Sequence, residues 1–247
     1  MLDYMRAEHM KTRRTFLRAL IWIAPALTLV HAIMVIAFYF ISDAYNWWYV
    51  LMLPASAALI PALMNRYEER KLQYRAVFPL PVSLRKLWLA KVCVASVYIL
   101  MANGIHLCGV LLGKLLIHTE QAESFSYAAL LLESAVILVT VLWQIPLSFL
   151  LARRFGMLAA VLFNAVGGIF LSTAAATTRF WWLCPYSYGA RLSVPILGVL
   201  PNGLQAEAGN PFLSWNVVLP GVAISIALFF VLSLVTANWF AGQEVRE

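Results

Sequence analysis

The chain has 247 residues, of which 63% are hydrophobic and only 12% charged, and its formal net charge is +7. Soluble domains carry about 25% charge and about 45–50% apolar residues, so this composition excludes an ordinary water-soluble protein and places most of the chain in lipid. The basic residues gather at the ends of apolar runs, which fits orientation in a membrane and argues against a nucleic-acid partner.

Residues 1–18 carry Arg6, Lys11, Arg13, Arg14 and Arg18. Leu2, Met5 and Phe16 share one helical face, with Glu8, Lys11, Arg14 and Arg18 on the other, which predicts a helix lying in the membrane interface. Arg6 and Arg13 blur the pattern and leave a basic tail serving only topology as the alternative. The apolar run that follows is too long for a signal h-region and has no clear cleavage site, so a cleaved leader is not expected.

A bilayer core about 30 Å thick takes about 20 apolar helical residues. Six stretches suffice: Ala19–Ser42, Ala44–Asn65, Val92–Gly113, Ser124–Ala152, Phe155–Thr178 and Asn210–Gln243. Only the fourth contains a charge, Glu133. Lipid offers the backbone no hydrogen-bond partner, so each stretch must be helical. The expected fold is an all-α integral membrane protein, one transmembrane domain over residues 1–247, with spans at about 19–41, 47–65, 88–113, 127–151, 156–176 and 216–240. Asp43 alone separates the first two, which predicts a tight hairpin around Ser42–Asn46. Six spans put both termini on one side. Fifteen Lys and Arg residues fall on that side, and three, Lys114, Arg179 and Arg191, fall on the other. The positive-inside rule therefore predicts a multi-pass protein with both termini in the cytoplasm.

Between spans two and three lies an island of charge: Arg66, Glu68, Glu69, Arg70, Lys71, Arg75, Arg85, Lys86 and Lys91. A segment so wet between two so apolar lies in water beside the bilayer. Span two is expected to continue as a helix through about Val77, Pro79 and Pro81 to break it, and Ser83 to cap a new helix from Leu84. Such a bent element is suited to dock on a soluble partner; a solvated loop that only enforces topology is the alternative.

Glu133 is either interfacial, if its span begins there, or a contact for a cationic substrate. In span five Gly156, Ala160, Asn164, Gly168 and Ser172 recur four apart, and Gly109 and Gly113 do so in span three. Such stripes serve packing within one chain or an interface with a second subunit, for which span five is the better candidate. Pro25, Pro54, Pro61 and Pro146 are expected to kink their spans. The long connection 179–215 holds Trp181, Trp182 and Tyr186, suited to the interfacial belt, and the apolar stretch Leu192–Leu200, too short to span and suited to a re-entrant or interface-lying helix. Cys93, Cys108 and Cys184 form no CxxC pair, and His9, His31, His106 and His118 have no metal-ligand spacing. No phosphate-binding loop, nucleophile elbow or dinucleotide fingerprint occurs, so no enzymatic site is expected in this chain.

At the island the chain resembles the type-2 ABC exporter permeases, which have six spans, cytoplasmic termini, an acidic residue after span two, a Leu-Pro-x-Ser-like element and a Lys leading into span three. Glu68 and Glu69, then Leu80-Pro81-Val82-Ser83, then Lys86 and Lys91 match. Phe78-Pro79-Leu80-Pro81-Val82-Ser83, Trp182 with Pro185-Tyr186-Ser187-Tyr188, and Ala237-Asn238-Trp239-Phe240 with Glu244 are most similar to the short permeases of lantibiotic self-protection transporters. The resemblance implies that Glu68, Glu69, Arg70, Lys71, Pro79, Pro81, Ser83 and Lys86, with Arg153 and Arg154, contact a separate ATPase dimer, which would hold ATP and Mg; no cofactor would bind this chain. It implies that the 179–215 connection forms outer re-entrant helices, and that spans one and five, with Gly156, Ala160, Asn164 and Gly168, face a second, related permease. The cargo would be an amphiphilic antimicrobial peptide expelled from the membrane. Rivals are a permease of the same superfamily for a drug, a lipid-linked glycan or haem, an integral membrane enzyme, and a non-transporting anchor or sensor.

Overall fold

The computed structural model describes all residues except Arg14, 68–81 and 244–247. Helix α1 (Leu2–Lys11) precedes α2 (Phe16–Ile36), the first span. A single 3-10 turn at Ala37–Tyr39 leads into α3 (Phe40–Trp47), which continues through a π turn, Trp48–Met52, into α4 (Leu53–Tyr67). The third span is one helix, α5 (Leu84–Leu116), whose 33 residues reach about 50 Å. After the short α6 (Glu120–Ser124), α7 (Tyr127–Val141) and α8 (Gln144–Phe155) make the fourth span. The fifth is α9 (Met157–Val166), a second π turn at Gly167–Leu171, and α10 (Ser172–Ala176). Helix α11 (Tyr188–Leu197) lies in the long connection, and α12 (Val218–Ala241) forms the last span. Among the described residues the only β feature is an isolated bridge between Val199 and Gln205.

Among the described residues, six helical stretches are thus long and apolar enough to cross a membrane: Phe16–Val35, Ala37–Arg66, Leu84–Leu116, Tyr127–Phe155, Met157–Ala176 and Trp215–Ala241. The first hairpin turns earlier than its charge pattern suggested, at Ala37–Tyr39 rather than Ser42–Asn46. Asp43 sits in the first turn of α3, where an acidic side chain suits the helix dipole, and its carboxylate lies 3.1 Å from His31 Nδ1 across the hairpin. Ser42 beside it accepts a hydrogen bond from the Gln121 amide of α6.

Local rules explain the helix ends. Ser83 caps α5, its hydroxyl accepting the Lys86 N–H at 3.3 Å, as the sequence predicted. Gly156 separates spans four and five with φ +91°, and Gly198 ends α11 with φ +69°, both in the left-handed region that glycine adopts without steric cost. The proline effects differ from site to site. Pro25 and Pro61 sit inside continuous helices. Pro54 follows the first π turn, and Pro146 follows the turn between α7 and α8, where the Ile145 N–H reaches back only three residues to Leu142. A proline has no N–H for the carbonyl four residues earlier, so each marks a place where the α ladder is interrupted.

The core is aromatic. Trp48, Trp88, Tyr45, Tyr98, Tyr188 and Phe40 are all but fully buried. Their polar tips are paired, as buried polar groups must be. Trp48 Nε1 donates to Asn103 Oδ1 at 2.9 Å, Asn103 Nδ2 donates to the Ser134 carbonyl at 3.0 Å, and Trp88 Nε1 donates to Thr236 Oγ1 at 2.9 Å. His106 stacks flat on Trp48, centroids 4.5 Å apart. These bonds join spans two, three, four and six.

Candidate functional site

Three regions carry the residues of interest: the end of the bundle where α1 and the start of α5 meet, the junction of spans two and five, and the buried carboxyl of Glu133.

At the first region, α1 lies along α5. The Ser83 N–H donates to Tyr4 Oη at 3.2 Å. Glu8 is 2% exposed; Lys11 Nζ lies 2.5 Å from one of its oxygens, and the fully buried Lys91 Nζ lies 4.0 Å from the other. Of the expected polar face Glu8 is buried and Lys11 and Arg18 are half-buried, while of the expected apolar face Leu2 and Phe16 are exposed and Met5 packs against the core. The reason is the partner: the first turns of α5 present Lys91 and Tyr98, so α1 docks through charge and hydrogen bonds.

The other expected coupling residues gather at this end. Lys86 and Arg154 are exposed, and Arg153 is half-buried. Asn65 Nδ2 donates to the Phe149 carbonyl at 2.9 Å, and the Arg66 guanidinium approaches Met157 Sδ at 4.0 Å, tying the ends of spans two, four and five together. Glu68, Glu69, Arg70, Lys71, Pro79 and Pro81 lie outside the described residues.

At the second region the two π turns face each other. A Cβ added to Gly168 would stand 2.3 Å from the Val50 carbonyl oxygen, the very carbonyl to which Pro54 has no N–H to offer. A Cβ on Gly167 would stand 2.5 Å from the Tyr186 ring. Tyr186 packs edge-on against Trp143 and donates to Asn164 Oδ1 at 3.1 Å, while Asn164 Nδ2 donates to Ser148 Oγ at 3.1 Å. Burial pushes the Tyr186 hydroxyl well above its ordinary value, so it acts here as a neutral donor. Ala160, Asn164, Gly168 and Ser172 are buried against this chain's own α4, α8 and Tyr186. The small stripe therefore packs span five closely into its own bundle. Gly156 is half-buried in the turn, and the opposite face, with Leu158, Leu162, Val166 and Phe170, is exposed.

The third region corrects the reading of Glu133 as interfacial. It is fully buried on α7 and accepts a hydrogen bond from the Ser193 hydroxyl of α11. One turn away Tyr45 Oη donates to the Leu130 carbonyl at 2.7 Å. The far side of α11 is held by Arg191, which donates to the Phe212 carbonyl at 2.9 Å and lies over the Phe212 ring. Burial lowers the Arg191 guanidinium from its ordinary value. Replacing Ser193 by Ala is expected to cost roughly 1–3 kcal/mol, because it strands a buried carboxyl. Glu133→Gln should cost less, because an amide oxygen still accepts the bond. Equal unfolding temperatures for wild type and Ser193→Ala in thermal scans would rule this out.

These regions lie on six membrane-length helices, and the family comparison decides what kind of membrane protein they build. The family model described as ABC-2 family transporter protein matches residues 4–172, from α1 to the start of α10. The chain belongs to that family. No curated protein and no solved structure gives a significant match. The protein is therefore a transporter membrane subunit, an ABC permease, whose family works with an ABC ATPase. Among the described residues no cluster of His, Cys, Asp and Glu is arranged to hold a metal ion. Sequence reasoning missed the Glu8–Lys91 pair and the π-turn junction. Lys91 was visible as a charge leading into span three, and Pro54 as a helix breaker, but neither names its partner.

Proposed function

We propose that this permease is the membrane-spanning subunit of a bacterial ABC exporter that expels a lantibiotic or related amphiphilic antimicrobial peptide for self-protection. A separate ATPase dimer holds ATP and Mg and drives it, and this chain binds neither. The family match carries the permease part of the reading. The peptide part is supported by the resemblance of Phe78–Ser83, Pro185–Tyr188 and Ala237–Phe240 to lantibiotic self-protection permeases. Both termini lie in the cytoplasm, supported by fifteen basic residues on that side against three. A second, related permease completes the pathway, seated against the exposed faces of spans one and five.

The ATPase docks at the end where α1, Ser83, Lys86, Arg153 and Arg154 converge, together with Glu68–Lys71, Pro79 and Pro81. ATP-driven closure of the dimer shifts the permease between two states only if it contacts them differently. The motion reaches the far end through the π-turn junction. Helix α11 is a re-entrant segment closing the outer side, so a cationic substrate reaches Glu133 only when α11 moves off α7.

Co-purification of the full chain with its ATPase, and stimulation of ATP turnover by the peptide, tests the reading. Reversing charge at Glu68, Glu69, Arg70 and Lys71 together is expected to abolish most of that co-purification while membrane insertion stays intact. Unchanged co-purification and unchanged resistance would remove the docking assignment. Turnover stimulated by a drug or glycan carrier and not by peptide would favour another substrate of the same superfamily.

A further inference from the structure

The corner between α1 and α2 is closed by hydrogen bonds whose directions can be counted. The Thr12 hydroxyl donates to the His9 carbonyl at 2.8 Å, so its oxygen is left to accept. The Tyr98 hydroxyl, 2.5 Å away, is then the donor to Thr12. Its proton spent, Tyr98 accepts from His9 Nδ1 at 2.8 Å, which places a proton on Nδ1. The Arg18 guanidinium has only donors, and its Nη2 lies 3.0 Å from His9 Nε2. Nε2 must therefore carry no proton. The arrangement fits one species of His9, the neutral ring protonated at Nδ1.

Among the described residues, the charges near the ring are the following. Glu8, on α1, lies beside Lys11 of the same helix and Lys91 of α5. Arg6 stands one turn earlier on α1 and is exposed, as is Arg13 beyond its end. Tyr98 faces the ring from α5, centroids 5.9 Å apart, and Arg18 faces it from α2. His9 is exposed, so solvent protons reach it. Arg18 Nε is buried with no partner among the described residues, so Arg18 is held here through the bonds of Nη2 to His9 Nε2 and, at 3.3 Å, to the His9 carbonyl.

We propose that His9 is a proton-operated latch at the α1–α2 corner, gripping Arg18 when neutral and releasing it when protonated. Protonation converts Nε2 from acceptor to donor and sets a second cation against the guanidinium. It leaves the Nδ1–H bond to Tyr98 in place. Acidification therefore frees the start of the first span while α1 stays on α5. Histidine is the side-chain type whose ordinary charge change falls between about pH 5 and 8. This inference is independent of what the permease carries.

Hydrogen exchange of the full chain in lipid nanodiscs tests it, with rates normalised for intrinsic pH dependence. The bonded amides at the corner, Arg13, Thr15 and Arg18, are expected to lose about fivefold in protection between pH 8 and 5.5, the scale of one exposed charged contact. The amides of α1 should keep theirs. His9→Gln, which retains an acceptor but does not titrate, should abolish the response, and so should Arg18→Gln. A flat wild-type profile, a response that survives in His9→Gln, or loss of protection along all of α1 at the same pH would overturn the proposal.

Discussion

Gly168→Ala is expected to destabilise the permease by roughly 1–3 kcal/mol, the range for an overpacked interior. The added methyl would stand 2.3 Å from the Val50 carbonyl oxygen, with Pro54 Cβ at 3.3 Å behind it. Neither is the end of a flexible side chain, so spans two and five must part to admit it. The matched control is Gly104→Ala in α5, where a Cβ meets nothing within 4 Å. That change should be neutral or stabilising by about 0.5–1 kcal/mol, since alanine orders a helix more cheaply than glycine. Both glycines are helical and both substitutions add one methyl, so only the tertiary neighbour differs. Thermal unfolding in detergent reads the contrast; identical midpoints for the two variants would refute the close contact. Because π turns interrupt the helix ladder at this junction, loss of substrate-stimulated ATP turnover is also expected in Gly168→Ala even where the complex assembles.

Glu8→Ala is expected to be the more damaging change, at about 3–5 kcal/mol, because it withdraws a carboxylate from the buried Lys91. Lys91 is fully buried and Glu8 nearly so, so solvent screens the pair little. A double-mutant cycle with Lys91→Met should give a coupling of roughly 1–3 kcal/mol. Coupling near zero would mean that Glu8 matters only through Lys11, which is partly exposed. Since the Ser83 N–H is bonded to Tyr4 of the same helix, loosening α1 should also raise proteolytic cleavage at the start of α5.

The two contacts show how far the sequence could be read. Its hydropathy placed all six spans, since twenty apolar residues in lipid have no alternative to a helix. The Ser83 cap was legible because capping is local: a hydroxyl, a preceding proline and a helix three residues on are all neighbours in the chain. Glu133, by contrast, stays open between two readings in the sequence. Whether a carboxyl near a span's end meets water or a hydroxyl depends on Ser193, sixty residues later. Asp43 misled because a charge between two apolar runs need not mark the turn; here it lies in the first turn of α3, beside His31 of the facing helix.

The sequence by itself determined that this is a six-span membrane protein and where its charge island lies along the chain. Those properties follow from transfer between water and lipid, which depends on composition along the chain. The tertiary structure alone decided which polar residues are partners and which face of each helix is already occupied. It set Glu8 and His9 of α1 against Lys91 and Tyr98, and it packed the small stripe of span five against Val50 and Pro54. In lipid every apolar face is equally comfortable outward, so hydrophobicity does not choose among them; close backbone approach and paired polar groups do, and both are properties of two segments at once.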